Sequence, residues 1–164
     1  MSKGSVLIEA SFTYVLLSFA LVALMSVFLV TIRANKDTER VAAGTQLSVQ
    51  LLEEVRLRRW DETTPTPRAP ATPSAIGADD GEAAADKAGF DDIDDFDGYS
   101  ESPPADPLGQ PIAEMAGYTR DVAVAYVDSS LQPDAGVTDY KRVTVCSRWP
   151  KMRPVCLDTV LTNR

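Results

Sequence analysis

Met1-Ser2-Lys3-Gly4-Ser5-Val6-Leu7-Ile8-Glu9-Ala10 opens the chain, and Ala10 to Ile32 continues it as ASFTYVLLSFALVALMSVFLVTI, 23 residues without a charge. At about 1.5 Å per residue, a helix of that length spans the ~30 Å of bilayer hydrocarbon, which predicts a transmembrane segment. A cleaved secretory signal would have a shorter apolar core and a small-residue exit, and Thr31-Ile32-Arg33 offers none. One carboxylate, Glu9, stands at the edge of the run. Near the membrane surface it reaches water; inside a dry bundle of helices it needs a counter-charge.

After Ile32 the sequence turns polar without a helix breaker, through Arg33 to Arg40, and no Pro occurs up to Trp60. Val41, Gly44, Leu47, Leu51 and Val55 recur three or four apart, while Gln46, Gln50 and Glu53 fall on the opposite side. The pattern predicts a single helix from Ser5 to about Arg59, with a transmembrane half (5–32) and an amphipathic half (33–60) whose stripe packs on the protein's own soluble domain.

Composition narrows the functions. The 164 residues carry a net charge of −8, and the excess is local: between Ala78 and Pro107 eleven acids face Lys87 alone. No nucleic-acid partner is expected, since counterion release needs a basic surface. Histidine is absent, which removes the commonest general base and metal ligand. No nucleophile motif or pair of acids in an apolar setting stands out, so neither an enzyme nor a cofactor is expected. The two cysteines, Cys146 and Cys156, are too few for a four-ligand zinc site and read as a disulfide.

Residues 61–88 are rich in Pro, Ala, Thr, Gly and Asp and are expected to form a mobile loop. An acidic region (89–117) follows, in which Phe90, Ile93, Phe96 and Tyr99 recur every three residues as anchors for an otherwise charged turn. An EF-hand register ending on Gly98 puts Pro104 where a glutamate is required, so that motif fails. The acids read as a solvated loop, with a calcium site of another kind, drawn from Asp91, Asp92, Asp94, Asp95 or Asp97, as the weaker alternative.

From 118 to 164 the chain reads as antiparallel β in three strands: Tyr118 to Val127, with Val122, Val124 and Tyr126 on one face, then Val137 to Cys146 and Val155 to Thr162. If Cys146 faces Cys156, the same register pairs Thr144 with Asp158 and Arg142 with Val160, and the cysteines share a face. The intervening Ser147 to Pro154 loop is basic. It reads as a hairpin tip with Trp149 folded back on the head, contact with a neighbouring subunit or ligand being the alternative.

The short leader ending in Gly4, the carboxylate five positions later, the Leu7-Ile8-Glu9 triplet and the long apolar run together resemble the prepilin signature of type IV pilins and type II secretion pseudopilins. Ser5 departs from it, standing where Phe or Met is usual. The string Phe90-Asp91-Asp92-Ile93-Asp94-Asp95-Phe96 before Ser102-Pro103-Pro104 is similar to a stretch in minor pilins of the mannose-sensitive haemagglutinin type. The resemblance implies an α+β, pilin-like fold with the long helix packed on a small sheet. It also implies cleavage between Gly4 and Ser5 by a prepilin peptidase, N-methylation of the new terminus, and pairing of Glu9 with the freed amine of a neighbouring pilin-like subunit.

The expected function is therefore that of a structural minor pilin or pseudopilin in the inner membrane, single-pass, with its C-terminal domain extracytoplasmic. The alternative is a solitary anchored protein whose head binds a ligand or calcium without polymerising. The basic residues flanking the span, Lys3 before it and Arg33, Lys36 and Arg40 after it, taken alone favour a cytoplasmic C-terminus. The processing motif implies the reverse.

Overall fold

The computed structural model describes residues 3–64, 70–77 and 87–164, with side chains from Ile8 onward. The chain divides into two compact units, Met1–Arg40 and Val41–Arg164. Helix α1 (Lys3–Arg56) makes up the described part of the first and opens the second.

In the first unit the apolar side chains from Ile8 to Val30 stand exposed, and the helix is long and apolar enough to cross a membrane. Its few hydroxyls are turned inward on the backbone. Thr13 donates to the Glu9 carbonyl (2.9 Å), Ser18 to Tyr14 (2.8 Å), Ser26 to Ala23 (2.7 Å) and Thr31 to Val27 (2.9 Å). Hydroxyls satisfied in this way leave no donor stranded in a medium without water.

In the second unit Gly44, Leu47, Ser48, Leu51, Leu52 and Val55 are buried, while Gln46, Gln50 and Glu53 are exposed. The stripe packs on the unit's own sheet as its spacing predicts, except that Val41 stays exposed. The helix stops at Arg56 rather than near Arg59: the N–H groups of Leu57 and Arg58 bond three residues back, to Glu54 (3.3 Å) and Val55 (3.0 Å), tightening the last turn.

The sheet has four antiparallel strands in chain order, β1 (Ser100–Glu101), β2 (Thr119–Tyr126), β3 (Tyr140–Arg148) and β4 (Val155–Thr162). The fold is thus α+β as expected. The strand missed from sequence, β1, is two residues long and too short to alternate visibly. It is set up by Gly98, whose φ of +74° suits glycine. The amide of Gly98 then bonds Val122 (3.2 Å), and Val122 returns a bond to Tyr99 (2.9 Å). The β3–β4 register pairs Cys146 with Cys156, Thr144 with Asp158 and Arg142 with Val160, as read from the cysteines. β3 begins three residues later than expected and runs two further, to Arg148.

Between helix and sheet lie Leu51, Val55, Trp60, Phe90, Ile93, Phe96, Tyr99, Val122, Val124, Tyr126, Val143 and Val145. Phe90, Phe96 and Tyr99 meet edge to face, with ring centroids 4.9 to 6.1 Å apart. Within the segment expected to be mobile, 70–77 is instead pinned. Ser74 donates through N–H (3.0 Å) and Oγ (2.9 Å) to Asp61, and Tyr126 Oη donates to the Ser74 carbonyl (2.7 Å). Asn163 brackets the Ala71 backbone at 2.7 and 2.8 Å. Residues 65–69 and 78–86 of that segment lie outside the described residues.

Candidate functional site

Gly4 and Ser5 fall in the opening turns of α1, ahead of the first described side chain, Ile8. Glu9 is exposed on the same helix, and its carboxylate makes no ion pair among the described residues.

Cys146 and Cys156 form a disulfide across β3 and β4. Along β3 the residues Lys141, Val143, Val145 and Ser147 are buried against the helix, so Cys146 lies on the outer face.

The acidic string is a scaffold rather than a solvated loop. Asp92, Asp94 and Asp95 are all buried. Asp92 Oδ1 accepts the N–H groups of Asp94 (3.0 Å) and Asp95 (3.4 Å), capping the 3-10 turn Asp94–Phe96. Asp95 Oδ2 reaches back to accept those of Asp91 (2.9 Å) and Asp92 (3.0 Å). The two carboxylates satisfy orphan donors reciprocally, in the manner of a capping box. Asp97 Oδ1 accepts the Val124 amide (2.9 Å), tying the turn to β2. Asp91 pairs with Arg59, and Asp94 Oδ1 takes the Lys141 ammonium at 2.8 Å.

The five acids considered for calcium therefore do not converge on one point. A different trio, Glu62, Asp91 and Asp92, has carboxylate oxygens within 4.8 Å of one another. Arg59 already supplies a positive charge there, paired with both Asp91 and Glu62. Burial pushes the Asp92 carboxyl up to about 8, helped by its hydrogen bond to Asp94 and by the charges of Asp94 and Asp95. Burial thus favours its protonated form, which donates toward Asp94.

Two buried ionic clusters hold the second unit together, and neither was read from sequence. In the first, Lys141 on β3 is fully enclosed: its Nζ lies 2.8 Å from Asp94 and 3.5 Å from Asp61, donates to the Trp60 carbonyl (2.7 Å), and sits 4.8 Å from the Trp60 ring centroid. In the second, Lys87 Nζ lies 3.2 Å from Glu54 and 3.7 Å from Glu101. Arg120 of β2 pairs with Glu101 and donates to the carbonyls of Leu47 (3.1 Å) and Ala105 (2.6 Å). Helix, acidic turn and sheet are joined by these charges. Their sequence signal was phase. Arg120 shares the inward parity of Val122 and Val124, and Lys141 that of Val143 and Val145, so each had to be buried and paired.

A groove of about 700 Å³ runs between the helix end and the 105–112 segment, walled by Val49, Leu57, Pro107 and Ile112. Glu54 and Arg120, which also line it, pair with Lys87 and Glu101.

No protein-family model, curated protein or solved structure matches the chain.

Proposed function

We propose that this chain is a membrane-anchored structural subunit of the type IV pilin-like class, a minor pilin or pseudopilin that joins or primes a filament of a type IV pilus or a type II secretion machine. The observation that carries the reading is Glu9: a carboxylate on an exposed, membrane-length apolar helix, five residues after Gly4, with no counter-charge among the described residues of its own chain. A prepilin peptidase cutting between Gly4 and Ser5 creates the missing cation, an α-amine, and a neighbouring pilin-like subunit presents it. Two opposite charges entering a dry helical bundle together cost far less than either alone.

The surrounding features are consistent with this. The helix continues into a head that packs on its amphipathic half, so membrane stalk and head share one element. The Cys146–Cys156 bridge suits an oxidising, extracytoplasmic compartment, in keeping with a single-pass protein of the inner membrane whose N-terminus is in the cytoplasm. Nothing in the reading calls for catalysis, a cofactor or nucleic acid.

The test is Glu9→Gln, expressed at the wild-type level with the other subunits of a filament system. Insertion and cleavage should be unchanged, because near the surface the side chain reaches water. Crosslinking to neighbouring pilin-like subunits should fall by about tenfold or more, as expected when a desolvated amine loses its partner. A solitary anchored protein predicts equal, background yields for both.

A further inference from the structure

The sheet of the second unit ends differently on its two sides. β1 is two residues long and runs into Pro103 and Pro104, which blunt that edge. β4 is eight residues long and pairs with β3 without a bulge, from Val155 opposite Ser147 to Thr162 opposite Tyr140. It contains neither Pro nor Lys, and Asp158 is its one charge.

The direction of its backbone groups follows from the register. One step beyond Thr162, the Asn163 N–H donates to the carbonyl of Asp139 directly opposite at 3.0 Å, which marks a hydrogen-bonded pair. Such pairs alternate. Val155, Leu157, Thr159 and Leu161 therefore turn their backbone groups toward β3, and Cys156, Asp158, Val160 and Thr162 turn theirs outward. The Cα–Cα distance of 4.0 Å at Cys146–Cys156 agrees, since non-hydrogen-bonded pairs are the closer ones. The outward N–H and C=O groups make no hydrogen bond among the described residues. An open edge of this length is a template for another strand.

Side chains decide which strand fits. An antiparallel copy of β4 in full overlap sets Cys156 opposite Thr162 and Asp158 opposite Val160, exchanging ~8 backbone hydrogen bonds about a two-fold axis at Thr159. On the inner face the same alignment sets Leu157 opposite Leu161, both of which pack on the core and are only partly buried. Each leucine gains an apolar neighbour across the new pairing, and each Asp158 faces an apolar residue. Slipping the copies one way sets Asp158 against Asp158, and like charges directly opposite are destabilising. Slipping them the other way shortens the ladder and sets Leu161 against Thr159. The edge is complementary to itself in one register.

We propose that β4 is a homotypic docking edge, pairing antiparallel with β4 of a second copy of this chain, with Thr159 on the two-fold axis. The pairing lies within Val41–Arg164 and rests neither on filament assembly nor on how the head meets a membrane.

The test uses the full chain in detergent, at fewer than one chain per micelle, with the Cys146–Cys156 bridge intact. Thr159→Cys and Asp158→Cys are oxidised mildly, and linked pairs are mapped by mass spectrometry. Across the axis the two 159 positions form a non-hydrogen-bonded pair with Cα atoms ~4.5 Å apart, within the range of a disulfide. The two 158 positions are offset by two residues and lie about 8 Å apart, beyond that range. Thr159→Cys should therefore link at least about tenfold faster than Asp158→Cys. Adding Val160→Pro removes one outward N–H from each chain and puts a ring in the path of the incoming strand, so linking should fall about tenfold or more. The thermal midpoint of the head should change little, because that N–H serves no bond within it.

Equal linking of the two cysteine variants, as chance collision or contact through the apolar helices would give, contradicts the proposal. So does the absence of any linked pair, which leaves the edge to a strand of another chain. Linking that survives Val160→Pro in a folded head places the contact elsewhere and also overturns it. The comparison of the two cysteine variants decides the question whatever the proline does to folding.

Discussion

Asp92 is the residue at which the head should sense pH. Its folded-state carboxyl titrates near 8 against an ordinary 3.8, so between those values the native chain holds a proton that the unfolded chain releases. This contribution to stability is complete below about pH 4 and is lost as pH rises toward 8, with a slope of at most about 1.4 kcal/mol per pH unit. Asp92→Asn keeps the oxygen that caps Asp94 and Asp95 and supplies a permanent donor toward Asp94. Its thermal midpoint relative to wild type should rise steadily from pH 5 to pH 8; a constant difference across that range would contradict the assignment. Lys141 tests the same corner by deletion. Lys141→Met leaves Asp61 and Asp94 buried without their cation, with an expected loss of about 3–5 kcal/mol in urea unfolding. Adding Asp94→Asn should restore part of it.

At the scale of elements, 70–77 behaves as a strap. Its hydrogen bonds to Asp61, Tyr126 and Asn163 close the core beside Trp60. Replacing 70–77 with a Gly/Ser stretch of equal length keeps the loop length but removes those bonds, at roughly 1 kcal/mol each. A fall of several degrees in thermal midpoint is expected, and no change would mean that the strap carries no stability. Composition hid this element. Pro, Ala and Thr offer little apolar surface, and what holds the segment is backbone and hydroxyl bonding to polar residues far away in sequence. The strands were legible for the opposite reason. Alternation fixed the inward face of β2, and one cysteine pair fixed the whole β3–β4 register, since a one-residue slip would turn every side chain over. The acidic turn was half legible. The three-residue spacing of Phe90, Ile93, Phe96 and Tyr99 marked the buried anchors. Acids between them looked solvated because capping and ion pairing leave no local pattern.

The whole molecule combines an apolar helix with a head whose buried charges nearly all find partners. Those charges specify how helix, turn and sheet meet, so the head should fold as one cooperative unit. Glu9 stands apart from them, making no ion pair among the described residues. The proposed N-terminal motif is read from an apolar run, a glycine and a carboxylate that sit close together in sequence. Orientation is where two sequence signals oppose each other, since Arg33, Lys36 and Arg40 follow the span while the motif places the head outside. Both questions meet at the amino terminus. The most direct measurement is the intact mass and N-terminal sequence of the protein extracted from membranes after co-expression with a prepilin peptidase. A mature chain beginning at Ser5 is predicted, whether or not its amine is methylated; a chain still beginning at Met1 would contradict the pilin-like account.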